Sequence, residues 1–430
     1  ATLSGGTATA QGASGVGLSA ATGANIVAKD GIAVTTRGGA AANAASGASI
    51  TLDDATLRTT EGGAGILADG AGTIVNATAV TIEANGVGVQ AVEGSQVTLV
   101  DADVASQQQA LVVNTGSRVT ATNTNIHSDT KIAISIANSS VELAGGTAVS
   151  SAGGHAVQIL EGSLDVDDAT LQATQTGDAL VVSGATASVS NARLESAARY
   201  GVRIPAGHTI TGPATVSLTD VDVEAGGSAI YMNAIHARDG HAVVSGGTLR
   251  ATNATVLVDT QFADAALNRL TLSNGAQLHS DSGLLIDVND NARLAAVLDA
   301  VDLTGNLRAN GSGVLDVAFR NLGSLRGNVE NGGAFDLGAG TMWTLPGDSN
   351  VASLIHGGTI AFTDPAAFRT LTVRGDYTGT GGLIALNTKL ADDVAGTDRL
   401  HVIGDTSGST QLAVTNRGGA GALTNADGIR

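Results

Sequence analysis

Pairs of aliphatic residues two positions apart recur through residues 109–204: Leu111/Val113, Ile134/Ile136, Val157/Ile159, Leu180/Val182 and Val202/Ile204. Their second members are separated by 23, 23, 23 and 22 residues. A spacing of two puts both side chains on one face of a strand, and a longer period held over several copies makes that strand part of a recurring unit. A second marker has two aliphatic residues flanking four mostly small or polar ones. It reads Leu52/Leu57, Val75/Val80, Leu99/Val104, Ala121/Ile126, Val166/Leu171, Val189/Leu194, Leu218/Val223 and Val244/Leu249. The copy at Leu143 and Val149 needs one extra residue. Two independent markers with one period specify a solenoid of parallel strands, about three short strands to each rung of about 23 residues.

A stack of such units grows in one dimension and need not split into the two or three globular domains that 430 residues would otherwise suggest. The 59 glycines suit turns repeated at every rung. Enrichment of Val, Ile and Thr in the periodic segments favours strand over helix. At about 4.8 Å per rung, fifteen or more rungs would make a rod on the order of 70–90 Å long. With 21 basic against 39 acidic residues the net charge is −18, which repels phosphate backbones, argues against nucleic-acid binding and favours a soluble monomer. No apolar run approaches the roughly 20 residues of a spanning helix. The absence of cysteine excludes disulfide and thiolate chemistry, and with no signal peptide at Ala1 the chain reads as mature or trimmed.

Along the chain, residues 1–47 read as imperfect first rungs with disorder as the competing reading, and the repeat is clean from Ser49 to Ile204. The spacing then lengthens to between 26 and 29 residues, which places excursions near 205–215, 233–242 and 259–270. Loops leaving a solenoid emerge on its outside, where binding residues concentrate. No aromatic residue precedes Tyr200, and six of the nine follow residue 318. The sequence therefore divides into a β-helical body, 1–330, and a bulkier C-terminal cap, 331–430.

That last segment carries an ordered series of motifs: Met342-Trp343-Thr344-Leu345, Asp348-Ser349-Asn350-Val351 with Leu354, Gly358-Thr359-Ile360-Ala361-Phe362, and Phe368-Arg369-Thr370-Leu371-Thr372-Val373. Tyr377-Thr378-Gly379, Gly382-Leu383-Ile384-Ala385-Leu386-Asn387-Thr388, Asp398-Arg399-Leu400-His401-Val402 and Leu412-Ala413-Val414-Thr415-Asn416 follow. Over about ninety residues this series resembles the autochaperone region of pertactin-like autotransporter passengers of type V secretion. The resemblance implies a right-handed parallel β-helix with a C-terminal β cap, shown on or released from a Gram-negative cell surface. It also implies a translocator barrel after Arg430 as the chain's own partner.

Chemistry is sparse. Gly347-Asp348-Ser349 opens like a trypsin-type nucleophile loop but continues Asn350-Val351, and no G-x-S-x-G elbow occurs. The eight histidines show no metal-ligand spacing, and Gly311-Ser312-Gly313-Val314-Leu315-Asp316 is not a calcium nonapeptide array. Neither a metal nor a cofactor is expected. A β-helix enzyme acting on polysaccharide would need clustered carboxylates. The candidates Asp53/Asp54, Asp101/Asp103, Asp165/Asp167/Asp168 and Asp220/Asp222 recur at one place in successive rungs, as outward turn residues would. A non-catalytic passenger is the stronger reading, an adhesin or a captor of a host protein such as a cell-surface receptor or serum complement regulator. Large anchors gather first between Arg199 and Arg269, with Met232 expected inward and Tyr231 outward. The expected partner site comprises Tyr231, His236, Arg238, Asp239, His241 and His208. Arg374-Gly375-Asp376 is a possible integrin-type motif, though its place inside the autochaperone pattern favours a strand-to-turn junction.

Overall fold

The computed structural model describes residues 1–205, 212–233, 239–260, 266–363, 367–391, 393 and 395–423. Among them the secondary structure is entirely strand, and all inter-strand ladders are parallel apart from one isolated antiparallel bridge, Thr388 to Thr397. No helix among the described residues is long and apolar enough to cross a membrane. The chain divides into two compact units, Ala1–Tyr231 and Met232–Arg430.

In the first unit each rung contributes a strand to each of three parallel columns. One column runs Leu111, Ile134, Val157, Leu180, Val202 in direct register, with Val113, Ile136, Ile159 and Val182 two residues on. These side chains are buried and stack as continuous ladders, so each rung's apolar surface is covered by the rungs on either side. The Ala-rich start of the chain is ordered into the same columns: Leu18 pairs with Ala42, Ala42 with Ile66 and Ile32 with Ala55.

The second marker corresponds to two more columns separated by a corner. The registers run Leu52, Ala77, Leu99, Ala121, Leu143, Val166, Val189, Leu218 and, beyond the corner, Leu57, Ile82, Val104, Ile126, Val149, Leu171, Leu194, Val223. One pair read from the sequence is corrected. Val75 pairs with Ile50 and Val97, so the marker of that rung is Ala77/Ile82 and not Val75/Val80. Val75 and Val80 are also buried, which made the wrong pair look right. The cause is two turns that each hold one residue more than their counterparts in the preceding rung: Thr59 to Ile66 against Thr36 to Ala42, and Asp69 to Ile74 against Ala45 to Ser49.

The corner inside this marker is made by one residue in the left-handed region: Asp54, Ala79, Asp101, Asn123, Asp168, Asn191 and Asp220, with φ between 49° and 55°. Asp and Asn tolerate this region better than other side-chain-bearing residues because their short polar groups bond locally. Asn123 Nδ2 donates to Asp101 Oδ1 at 2.6 Å and Asn191 Nδ2 to Asp167 Oδ1 at 2.8 Å, tying rung to rung. The expected extra residue between Leu143 and Val149 is present as Gly145-Gly146, both at positive φ, where the ladder shifts register. Another corner is lined by buried hydroxyls: Thr36, Thr59, Ser106 and Ser196 donate to the carbonyls of Gly39, Gly63, Gly86 and Gly177 at 2.7–3.0 Å. Such bonds satisfy turn carbonyls that face away from water.

The second unit keeps the parallel ladders but with larger side chains. Val244 pairs with Leu272, which pairs with Leu298 and then with Phe319. Phe319, Phe335 and Trp343 are buried with ring centroids 6.3 and 5.5 Å apart, and Trp343 Nε1 donates to Gly327 O at 3.0 Å. His356 is fully buried with Nδ1 2.8 Å from the Tyr377 hydroxyl. The strand Thr406–Asn416 pairs along one edge with Tyr377–Thr388 and with no other strand among the described residues. Leu412 and Val414 of that strand stand 64% and 61% exposed.

Candidate functional site

Three successive rungs of the first unit place His155, Asp178 and Tyr200 at the same corner, each just before the inward residue that opens its strand. Their neighbours Ala156, Ala179 and Gly201 are buried. The step from one to the next is the rung itself: Ala156 N donates to Asp178 O and Ala179 N to Tyr200 O, both at 3.1 Å. Asp178 is wholly buried. A desolvated carboxylate is tolerated only with charged and hydrogen-bonding partners, and several converge here. Arg203 Nε lies 2.6 Å from Oδ2, out of line for a hydrogen bond but in ion-pair contact, and Arg199 Nε lies 3.6 Å from Oδ1. The Tyr200 backbone N–H donates to Oδ1 at 3.3 Å.

His155 completes the group. The Asp178 N–H donates to its Nδ1 at 2.9 Å, and Arg203 Nη2 stands 3.2 Å from its Nε2. The neutral ring has one acceptor nitrogen and can accept only one of these two contacts; either one disfavours imidazolium, while Asp178 Oδ2, 3.3 Å from Nδ1, favours it. Burial holds the His155 pKa below the usual histidine value and the two guanidiniums push the same way, against the opposing pull of Asp178. Above the carboxylate, the Tyr200 and Tyr231 rings stack with centroids 4.4 Å apart and planes 7° apart, and the Arg199 guanidinium sits 5.5 Å from the Tyr200 centroid. Beside them Val181 and Ser183, on the outward side of their strand, are buried as well.

Of the residues expected in a partner site, Tyr231 is therefore half-buried in this cluster while Met232 is buried, as their alternation implied. In the second unit Asp239 pairs with Arg269, and His241 is the ladder neighbour of Arg269. His208, His236 and Arg238 lie outside the described residues. His155 and Asp178 were missed by sequence reasoning. The signal that finds them is the period itself, applied to polar residues, since 155, 178 and 200 are spaced like the ladder pairs.

Arg374, Gly375 and Asp376 occupy the bend between strands Thr370–Val373 and Tyr377–Thr388. Arg374 and Gly375 donate backbone N–H groups to Val351 and Ala352 at 2.9 and 2.7 Å. The Arg374 guanidinium bonds Asn331 Oδ1 and Gly332 O, each at 3.0 Å, and also Asn350 Oδ1. Asp376 Oδ1 accepts the Asp405 N–H at 3.0 Å. Arg374 and Asp376 are exposed, yet each is engaged within the wall.

Two other arrangements bear on catalysis. Ser150 Oγ, His127 and Asp129 form a string at 2.8 and 2.9 Å. Ser150 lies between paired strands on both sides, so neighbouring amides are committed to the ladders and not to an oxyanion. A surface hollow of about 360 Å³ is lined by Asp168, Asp220, Asp222, Asn191 and Arg193 among others. It follows the outward corners, and no group of three metal-ligating side chains occurs among the described residues.

The sequence matches the family described as Autochaperone Domain Type 1 over residues 349–430 and the family described as Right handed beta helix region over residues 64–212. It is 32% identical over 214 residues to Adhesin BmaC autotransporter of Brucella suis biovar 1, covering 46% of this chain and 5% of that protein. The chain is an autotransporter passenger. This passenger is also 29% identical over 220 residues to BrkA autotransporter of Bordetella pertussis, 47% of this chain and 21% of that one. Uncharacterized protein YdeU of Escherichia coli K12 is 50% identical over 54 residues, 13% of the passenger and 12% of its relative. The passenger thus spans between 5% and 21% of the length of these relatives. Autotransporter passengers are displayed at the outer membrane or secreted, and the right-handed β-helix family is the one that residues 64–212 match.

Proposed function

We propose that this passenger binds host proteins without catalysis, as an adhesin or as a captor of a serum regulator. The observation that carries the reading is the cluster of Arg199, Tyr200, Arg203 and Tyr231, gathered around buried Asp178 on the outer wall of the coil. Arginine and tyrosine are the side chains that most often anchor protein interfaces, because they combine contact area with directional polar groups at modest entropy cost. The name of the Brucella relative, an adhesin, agrees with this reading. The catalytic alternative is less well supported, since the carboxylates at the corners point outward in single file and two of them, Asp101 and Asp167, are spent on rung-to-rung bonds.

The test is capture by the folded passenger, immobilised, from human serum and from solubilised epithelial membranes. Wild type retains a defined host protein. Shortening 233–242 to the length of the regular rungs abolishes retention while the β-sheet circular dichroism is unchanged, whereas Asp376→Glu leaves retention intact. Retention that survives the deletion and is lost in Asp376→Glu moves the site to Arg374-Gly375-Asp376.

A further inference from the structure

The chemistry of the cluster narrows what it can receive. Asp178 is one carboxylate facing two guanidiniums, and His155 is held neutral beside them, so the group carries surplus positive charge on a chain of net charge −18. The surplus is accessible: the Arg199 side chain is 49% exposed, against 23% for Arg203. Arg199 is also held in place from two directions, by Asp178 and by the Tyr200 ring. A guanidinium ordered before binding loses less entropy when it engages a ligand.

Two classes of anionic ligand compete. A sugar ring would stack on an open aromatic face, but one face of Tyr200 is covered by Tyr231 and its ring is also engaged by Arg199. A polyanionic glycan would meet the field of the whole acidic chain, whereas one or two carboxylates feel mainly the local guanidiniums. We propose that the cluster receives a carboxylate on a protein partner, an acidic side chain or chain terminus, with Arg199 as its direct charge-assisted contact. The proposal rests on the host-protein-binding reading and names the chemistry of that partner.

The experiment is fluorescence polarisation on the whole passenger with a labelled, glycine-spaced, C-terminally amidated peptide carrying two glutamates. Its glutamine counterpart and a heparin hexasaccharide serve as competitors, and serum capture runs in parallel. The glutamate peptide binds saturably, at least about tenfold more tightly than the glutamine peptide, and it displaces the captured serum protein. Arg199→Ala, a half-exposed position that leaves circular dichroism unchanged, weakens it by about tenfold, and Arg199→Lys recovers part of the loss. Equal binding of the two peptides, no saturable binding, an unaffected Arg199→Ala, or stronger binding of heparin overturns the proposal. If wild type captures a host protein that the glutamate peptide does not displace, the carboxylate proposal falls and the host-binding reading stands. If wild type captures nothing from serum or membranes, both fall.

Discussion

Each inward side chain in this coil touches its own kind directly above and below, so a substitution is felt by two neighbouring rungs at once. Ile159 is fully buried between Ile136 and Val182. Ile159→Ala should destabilise by about 2–5 kcal/mol through lost contact and an unfilled cavity. Ile159→Asp should do more, since it places an unpaired carboxylate in the ladder. Denaturant melts check both, and hydrogen exchange should show the loss confined to adjoining rungs. Histidine sets the response to acid. Burial holds the His356 pKa below its usual value, outweighing backbone contacts at Gly358 and Leu383 that raise it, and His155 is lowered in the same sense. The fold therefore favours the neutral rings. Their contribution is complete above the unfolded pKa of about 6.5 and is lost as pH falls below it. The melting temperature should be flat above that pH and decline beneath it, and a folded His356→Gln variant should show a shallower decline.

At the scale of the element, the aliphatic-x4-aliphatic marker is a strand, a one-residue left-handed corner and a second strand. Asp54 sits at such a corner with φ 50°. Asp54→Val should cost about 1–2 kcal/mol, because a β-branched side chain is strained there. Asp54→Gly should be nearly neutral, and urea midpoints of the two variants separate strain from loss of charge. The same corners explain what could be read in the sequence. A buried ladder repeats with the rung, so Leu111 to Ile204 announced both period and inward face, and the recurring Asp and Asn announced outward corners. Reading failed where the ladder residue was not distinctive: Ala77 carries no aliphatic signature, and neighbouring Val75 imitated one. The site was half legible. Tyr231 and the Arg199–Arg203 neighbourhood stood out because arginine and aromatic side chains first gather there. Asp178 did not, because an aspartate that organises a wall from inside has the same letter as the many that face water. Only its contacts, an ion pair at 2.6 Å and complete burial, separate it from Asp101 or Asp220.

On the scale of the whole molecule, stability should be uneven along the chain. The segment from 331 onward buries Phe335, Trp343, Phe362 and Tyr377 where earlier rungs, Phe319 apart, bury aliphatic side chains. Apolar burial stabilises roughly in proportion to area, at about 25 cal/mol per Å². Native-state hydrogen exchange should leave the slowest amides between 331 and 402, and limited proteolysis should leave a resistant C-terminal core. A core confined to 50–200 would contradict this. The charge of −18 adds repulsion between copies, which suits a chain whose strand Thr406–Asn416 has a free edge among the described residues. The small departures from the period have another consequence. A coil of identical rungs could thread itself one full turn out of place with every apolar side chain still inside, and nothing local would report the mistake. The paired glycines at 145–146 and the longer turn after Asp69 make those rungs unlike their neighbours, so a chain that skips a turn meets a mismatch there. They number the rungs, and a sequence that repeats itself so faithfully needs some positions that do not in order to know where along itself it is.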